Sequence, residues 1–77
     1  MNQLLFFAEL KDKVGSESVK LDVSGKTVLE VKSMVNDTYG VNKISESMVA
    51  INEEFVTKET IIQKNDTIAF IPPVSGG

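Results

Sequence analysis

The chain has 77 residues, which is enough for one small domain, and 42% of them are hydrophobic and 25% charged. This is an ordinary globular composition that argues against a disordered or fibrous protein. Eight lysines, no arginine and eleven acidic residues give a net charge of −3, which argues against nucleic acid or an anionic membrane as the main partner.

Two residue types that often carry chemistry are absent. There is no cysteine, which excludes disulfides, thiolate metal sites and thiol nucleophiles. There is no histidine, the commonest general base and metal ligand, so we expect no metal site. The apolar runs are only a few residues long, far short of the ~18 that a membrane span needs. The N-terminus lacks a basic segment with a small-residue cleavage site, which predicts a cytoplasmic protein.

The first third of the chain predicts two strands separated by a short helix. Residues 3–7 form an apolar run typical of a buried strand. Residues 8–14 are good helix formers, and Gly15 follows them as a stop. Residues 18–23 alternate polar and apolar side chains, the pattern of a half-buried strand, and residues 24–26 then predict a turn.

The central helix has the strongest signals in the sequence. Thr27 and Glu30 have the spacing of a capping box, in which each side chain bonds the backbone N–H of the other residue. Gly40 marks the end of the helix, as glycine often does just after the last helical residue. The apolar positions between them recur at spacings of three and four and predict one buried stripe: Val28, Val31, Val35 and Tyr39, with Met34 beside it.

The next segment predicts a loop followed by a hairpin. Residues 41–47 are mixed in character, and we expect a loop there. Residues 48–51 and 54–56 predict two short strands around the turn Asn52-Glu53, because asparagine tolerates positive φ.

The last segment predicts one more strand. Residues 57–64 predict an irregular turn that holds Ile61 and Ile62 inward. Residues 64–66 carry a turn signal, and residues 67–71 are β-prone and predict a closing strand.

One long helix with four or five strands predicts an α+β fold, a mixed sheet with the helix packed across one face. The order of elements is typical of the β-grasp, or ubiquitin-like, arrangement. We expect a single domain over residues 1–73 and a flexible arm over residues 74–77. A ferredoxin-like fold is the alternative, but it expects a second long helix, and residues 58–63 support one only weakly.

The end of the chain is where chemistry is expected. Pro72 and Pro73 lack the N–H that a sheet needs, so the strand must stop there and a short arm leaves the body. The arm is Val74-Ser75-Gly76-Gly77, and its two glycines can enter a passage too narrow for other residues. Its α-carboxylate is ionised at neutral pH and can be activated in another protein's active site.

Three segments carry a resemblance to a known family. They are residues 5–11, residues 49–53 and the closing run 66–77, which ends Ala-Phe-Ile-Pro-Pro-Val-Ser-Gly-Gly. They resemble the small subunits of molybdopterin synthase, which are ubiquitin-like sulfur carriers, and the likeness spans the full chain. One departure is Asn65, where family members usually carry glycine.

The resemblance implies a reaction at Gly77. An E1-like activating enzyme would use ATP to adenylate this residue, and the adenylate would then be converted to a thiocarboxylate. The chain itself would bind no cofactor. The arm, with Val74, Ser75 and Gly76, would insert into the large subunit of molybdopterin synthase. There the sulfur would attack cyclic pyranopterin monophosphate to build the dithiolene of the molybdenum cofactor. The expected assembly is a heterotetramer of two large and two small subunits.

The resemblance also implies a docking surface near the exit of the arm. The family pattern places the apolar contacts with the large subunit at Phe7, Phe55 and Ile71, together with Pro72 and Pro73. The alternative is that the first three are ordinary core residues. Phe55 is the strongest candidate for exposure, because it follows the polar turn Asn52-Glu53-Glu54.

Other functions share the same features in part. The sulfur carrier of thiazole biosynthesis has the same fold and C-terminal chemistry, but its members usually lack the helix after the first strand and the Pro-Pro-Val-Ser sequence. A protein-conjugating modifier would form an isopeptide bond at Gly77, but such tails are typically basic before Gly-Gly. A non-covalent β-grasp binding module is the third alternative.

Overall fold

The secondary structure follows the predicted order in the computed structural model, which describes residues 1–73. The strands are β1 (Asn2–Phe6), β2 (Ser18–Leu21), β3 (Met48–Ile51), β4 (Glu54–Val56) and β5 (Thr67–Ile71). The helices are α1 (Glu9–Val14) and α2 (Val28–Tyr39), with a 3₁₀ helix at Asn42–Glu46. Within residues 1–73 there is no second long helix, so the ferredoxin-like alternative is wrong. No helix in this part of the chain has the length and apolarity to cross a membrane.

The five strands form one mixed sheet in the order β2-β1-β5-β3-β4. β1 and β5 pair in parallel, and every other neighbouring pair is antiparallel. The first and last strands of the chain therefore lie side by side at the centre of the sheet, and α2 supplies the crossover between its two halves. This is the predicted β-grasp arrangement, and that prediction is confirmed.

The core lies between the sheet and α2, because alternate residues of each strand point to the same face. Phe6 of β1 and Phe70 of β5 are cross-strand partners, and their rings stack with centroids 5.4 Å apart. The predicted stripe of α2 packs against this layer, with Val28, Val31 and Val35 buried. Met34 and Tyr39 are only partly buried and lie at the margin of the core.

Both ends of α2 are closed as the sequence predicts. The Thr27 N–H donates to the Glu30 carboxylate at 2.9 Å, and the Glu30 N–H donates to the Thr27 hydroxyl at 3.2 Å. The bond from the Thr27 N–H, and then a bond that the Thr27 hydroxyl donates to the same carboxylate at 3.1 Å, hold the pKa of Glu30 below its ordinary 4.5. These bonds therefore stabilise the fold fully when the pH is above 4.5, the ordinary pKa of the carboxyl group. Their contribution is lost as the pH falls through the lowered pKa of the folded state. Gly40 ends α2 in the left-handed conformation.

Two local predictions are wrong. Residues 41–47 are not a plain loop, because Asn42–Glu46 forms a 3₁₀ helix that buries Ile44 and is closed by a bond from the Ser47 hydroxyl to the Ile44 carbonyl. Ile61 does not point inward: it is 54% exposed, whereas Ile62 is fully buried. The backbone at Ile61 is extended and bridges to Thr27, and neighbouring side chains of an extended backbone point to opposite sides.

A buried asparagine links three segments of the chain at one end of the sheet. Asn2 is fully buried at the start of β1, and its side chain makes three hydrogen bonds. Its amide nitrogen donates to the carbonyls of Gln63 and Asp66 at 2.9 and 3.1 Å, and its oxygen accepts from the Val23 N–H at 3.0 Å. One side chain of β1 thus bonds backbone groups of two other segments, the residues after β2 and the turn before β5, which the sequence pattern does not predict.

We predict that Asn2→Ala lowers the free energy of unfolding by about 1–3 kcal/mol, because it leaves the buried Val23 N–H without an acceptor and removes one of the two donors to each of the Gln63 and Asp66 carbonyls. Urea unfolding measures this change. Gln3→Ala is the control, because Gln3 is the neighbouring half-buried residue of the same strand. An equal loss in the two variants would contradict a special role for the Asn2 amide.

Candidate functional site

The end of β5 determines the point from which the predicted C-terminal arm would start. β5 lies between β1 and β3 and is hydrogen-bonded on both sides, so its direction is fixed by two neighbours. Its last residue, Ile71, pairs with Met48, and Pro72 has no N–H with which to continue the ladder. Pro72 is buried and Pro73 is exposed. The predicted reactive residue Gly77 and the arm residues Val74, Ser75 and Gly76 lie outside the described residues.

The face of the sheet opposite α2 carries a row of neutral, largely apolar side chains beside this exit. The register places one residue from each strand in this row, which runs from β2 to β4 as Ser18, Leu5, Ala69, Ala50 and Phe55. Ile71 and Met48 form the next row toward the end of β5. Apolar side chains on this face therefore gather at the edge of the sheet where β5 ends.

Five of these side chains, excluding Ser18 and Met48, contribute to the lining of a shallow groove of about 630 Å³. Its apolar lining consists of Leu5, Phe7, Ala50, Phe55, Ala69 and Ile71. Its polar end is formed by Asn52, Glu53 and Thr67. Methyl and phenyl groups of this kind can bind an apolar side chain of another protein, and the polar end can orient it.

The structure brings together the three apolar residues predicted to face a partner. Phe55 is 67% exposed and Phe7 is 46% exposed, so neither is a core residue. Ile71 is half-buried and lines the same groove. Pro73 is exposed beside them. Pro72 is buried, and its predicted contact with a partner, like those of the other four residues, stays a prediction.

Sequence reasoning missed several residues of this surface. Met48 is 47% exposed and lies opposite Ile71, and Leu5 lies on the floor of the groove between Ser18 and Ala69. No alternation of polar and apolar residues marks Leu5 in the sequence, because Leu4, Leu5 and Phe6 belong to one continuous apolar run. No local signal identifies Met48, since its position depends on which strand pairs with β3.

The hairpin that carries Phe55 is fixed to β5 by one asparagine. Asn52 and Glu53 have φ angles of 51° and 72°, as a two-residue type I′ turn requires. The Asn52 N–H donates to the Thr67 carbonyl at 2.9 Å, and the Asn52 side-chain oxygen accepts from the Thr67 N–H at 3.0 Å. Its side-chain nitrogen also donates to the Asp66 carboxylate at 2.9 Å. The turn therefore holds the β3–β4 hairpin in register with the strand that leads to the arm.

Lys32 of α2 holds the start of β3 from the helix side of the sheet. Its ammonium group donates to the carbonyls of Ser47 at 2.7 Å and Ser45 at 3.3 Å, immediately before Met48. Partial burial, and then the charge of Lys58, lower the pKa of Lys32. Within residues 1–73 no three acidic side chains converge on a metal-sized site.

A strained turn directs the chain away from Phe7. The Leu10 N–H donates to the Phe7 carbonyl at 3.1 Å, which closes a four-residue turn. Ala8, at its second position, has φ 52° and ψ −129°, the conformation that a type II′ turn reserves for glycine. The turn places Phe7 on the open face and the fully buried Leu10 in the core. An alanine methyl group is an unfavourable substituent in this backbone conformation.

The fold and the surface together define a ubiquitin-like protein with an apolar face beside its C-terminal strand. The chain belongs to the ThiS family, whose model matches residues 4–77. The resemblance stated from the sequence is confirmed, because relatives bear the name it implied. The molybdopterin synthase sulfur carrier subunit of Dictyostelium discoideum is 30% identical over 97% of this chain and 94% of its own length. The subunit of the same name from Haemophilus influenzae is 30% identical over the full length of both chains.

Solved structures agree with the family assignment. The solution structure of small archaeal modifier protein 1 from Methanosarcina acetivorans superimposes with a TM-score of 0.81. It is 25% identical to this chain, and the match covers 99% of this chain and 95% of that one. The fold described above is therefore shared with a ubiquitin-like protein over nearly its whole length.

We predict that Ala8→Gly raises the free energy of unfolding by about 1 kcal/mol, because glycine adopts positive φ without strain. Chemical denaturation measures this gain. Ala69→Gly is the control, because Ala69 lies in the central strand β5, where glycine weakens the strand. The two substitutions should change stability in opposite directions. A loss of stability in both would contradict the assigned turn.

Proposed function

We propose that this chain is the sulfur-carrying subunit of a molybdopterin synthase. The observation that supports this most directly is the full-length match to sulfur carrier subunits of that enzyme. The apolar groove beside the end of β5 agrees with it, because a carrier must dock before its arm can reach another active site. In this proposal the chain works in the cytoplasm, and two copies join two large subunits.

The proposed reaction occurs at the carboxylate of Gly77. A carboxylate is a poor acceptor for sulfur until it is activated. An E1-like enzyme would therefore join it to the α-phosphate of ATP and release pyrophosphate. A sulfur nucleophile then displaces AMP from the acyl adenylate and leaves a thiocarboxylate, which is anionic and nucleophilic near neutral pH. This chemistry needs no histidine or cysteine in the carrier, and the chain has neither.

The large subunit would then supply the site where sulfur is transferred. The thiocarboxylate sulfur forms a C–S bond to a carbon of cyclic pyranopterin monophosphate as an oxygen substituent leaves that carbon. Hydrolysis of the acyl–sulfur bond then returns the Gly77 carboxylate and leaves the sulfur on the pterin. Two such rounds supply the two sulfurs of the dithiolene. Val74, Ser75 and Gly76 would lie in the passage to that site. Phe7, Phe55 and Ile71, with Pro72 and Pro73, would form the contact at its entrance.

Two alternatives remain distinguishable by their products. A thiazole-pathway carrier would also gain sulfur at Gly77, but α1 is present here and those chains usually lack it. A protein modifier is favoured by one specific observation, the likeness to small archaeal modifier protein 1 at 25% identity. A modifier would form isopeptide-linked conjugates instead of a sulfurated pterin.

We predict that the chain gains about 16 Da, the difference between sulfur and oxygen, on incubation with the activating enzyme, ATP and a sulfur donor. Intact-mass spectrometry measures this gain. Removal of Gly77 should abolish it and leave the melting temperature unchanged, because the core residues that the structure describes all lie between Leu4 and Phe70. A variant without Gly77 that still supports pterin sulfuration would overturn the proposed role. Pterin product analysis separates the molybdopterin pathway from the thiazole pathway.

We predict that Phe55→Asp weakens binding of the large subunit at least 100-fold, because it places a charge in the apolar contact. The melting temperature should change little, since Phe55 is 67% exposed. Isothermal titration calorimetry measures the affinity. Leu29→Asp is the matched control: Leu29 is 52% exposed but lies on α2, away from the groove. If Phe55→Asp reduced stability and left affinity intact, Phe55 would be a structural residue.

A further inference from the structure

The groove on the open face has a floor of small residues between larger walls. Ala69 of β5 and Ala50 of β3 are cross-strand partners at its centre. Leu5 and Phe7 stand on the β1 side, and Phe55 stands on the β4 side. Ala50 is only 6% exposed, although it lies on the open face. The depression therefore exists because two neighbouring positions carry only a methyl group.

The width of the groove follows from the strand order. Leu5 and Phe55 are separated by three strand spacings, from β1 through β5 and β3 to β4. At ~4.8 Å per spacing their backbones lie ~14 Å apart, and both side chains project into that gap. The space left over the two alanines suits one inserted side chain and is too narrow for a whole helix, which is ~10 Å across with its side chains.

The short distance that residues 74–77 can span indicates which protein would cover the groove. Four residues beyond Pro73 reach at most ~13–14 Å when extended. Ala69 lies two residues before the end of β5, which is ~7 Å back along the strand. Any protein that takes Gly77 into its active site must therefore approach the Ile71 end of the sheet and lie next to this groove.

We propose that Ala50 and Ala69 form a socket for one large apolar side chain of the large subunit, a leucine, methionine or phenylalanine inserted between Phe7 and Phe55. This inference rests on the proposed function and names the contact that aligns the partner with the arm. The polar end of the groove carries Glu53, and the whole chain has a net charge of −3. The inserted side chain therefore has a lysine or arginine as its neighbour on the hairpin side.

The test is to fill the socket without disturbing the fold. Ala69→Ile adds three carbons on the floor of the groove, and a β-branched residue suits a central strand. We expect its affinity for the large subunit, measured by calorimetry with unloaded protein, to fall at least 100-fold while the melting temperature is not lowered. Ala69→Val is the smaller enlargement and should cost about tenfold. It keeps the test valid if Ala69→Ile fails to fold.

Ser18→Ile is the matched control. Ser18 lies in the same cross-sheet row and undergoes a similar enlargement, but it stands on the far side of Leu5, outside the groove. We expect its affinity to change less than threefold. Equal weakening by Ser18→Ile and the Ala69 variants would overturn the socket, because it would indicate general crowding of the face. Unchanged affinity in Ala69→Ile would overturn it as well.

A rescue experiment identifies the inserted side chain. Each large apolar residue on the surface of the large subunit is replaced by alanine in turn and titrated with the Ala69→Ile carrier. We expect one of these alanine variants to bind the Ala69→Ile carrier at least tenfold more tightly than the unchanged large subunit does. If none of them binds it more tightly, the proposal is overturned. A change in the oligomeric state of the isolated chain on Ala69→Ile would assign the groove to a second copy instead. Failure of the proposed function would be seen separately, because the chain would then show no 16 Da gain at Gly77.

Discussion

β5 is hydrogen-bonded on both sides, to β1 in parallel and to β3 in antiparallel orientation, and the rest of the structure depends on this double pairing. It joins the two ends of the chain at the centre of the sheet, so the core under α2 cannot form without it. It also fixes the direction in which the chain leaves the domain. Pro72 then ends the strand because it has no N–H to donate. A short arm can serve as a carrier only if its origin is held rigidly, and two flanking strands hold it.

The same strands serve two purposes because their side chains alternate between two faces. Leu4, Phe6, Ile68 and Phe70 pack under α2, whereas Leu5 and Ala69 lie on the open face. A register shift of one residue would exchange these sets and would destroy both the core and the groove. Two asparagines oppose such a shift. Asn2, at the start of β1, bonds backbone groups of Gln63 and Val23. Asn52 bonds both the N–H and the carbonyl of Thr67.

The surface features agree with a division of labour between carrier and partner. The groove offers methyl and phenyl groups, and its polar end offers an amide, a hydroxyl and one carboxylate. In the proposed function these groups would recognise a partner, and the acid–base chemistry of sulfur transfer would belong to the proteins that bind the C-terminal residues. The strained turn at Ala8 fits this view, because it places Phe7 on the docking face and Leu10 in the core at a cost to stability. The strain at Ala8 thus lowers stability at the position where the chain turns between the exposed Phe7 and the buried Leu10.

The sequence alone determined the features that depend on residues a few positions apart. The capping box of α2, the glycine stops, the Asn52-Glu53 turn and the end of β5 at the prolines are all of this kind, and together they predicted a β-grasp fold. Local patterns failed where burial was decided elsewhere, as at the 3₁₀ helix around Ile44 and at the exposed Ile61. Only the tertiary structure decided that Met48 lies beside Ile71, that Ala50 lies beside Ala69, and that Asn2 is a buried link. The physical reason is that strand pairing makes neighbours of residues that are far apart in the chain. Period-two alternation assigns a residue to one face of the sheet, but it does not identify the other residues on that face.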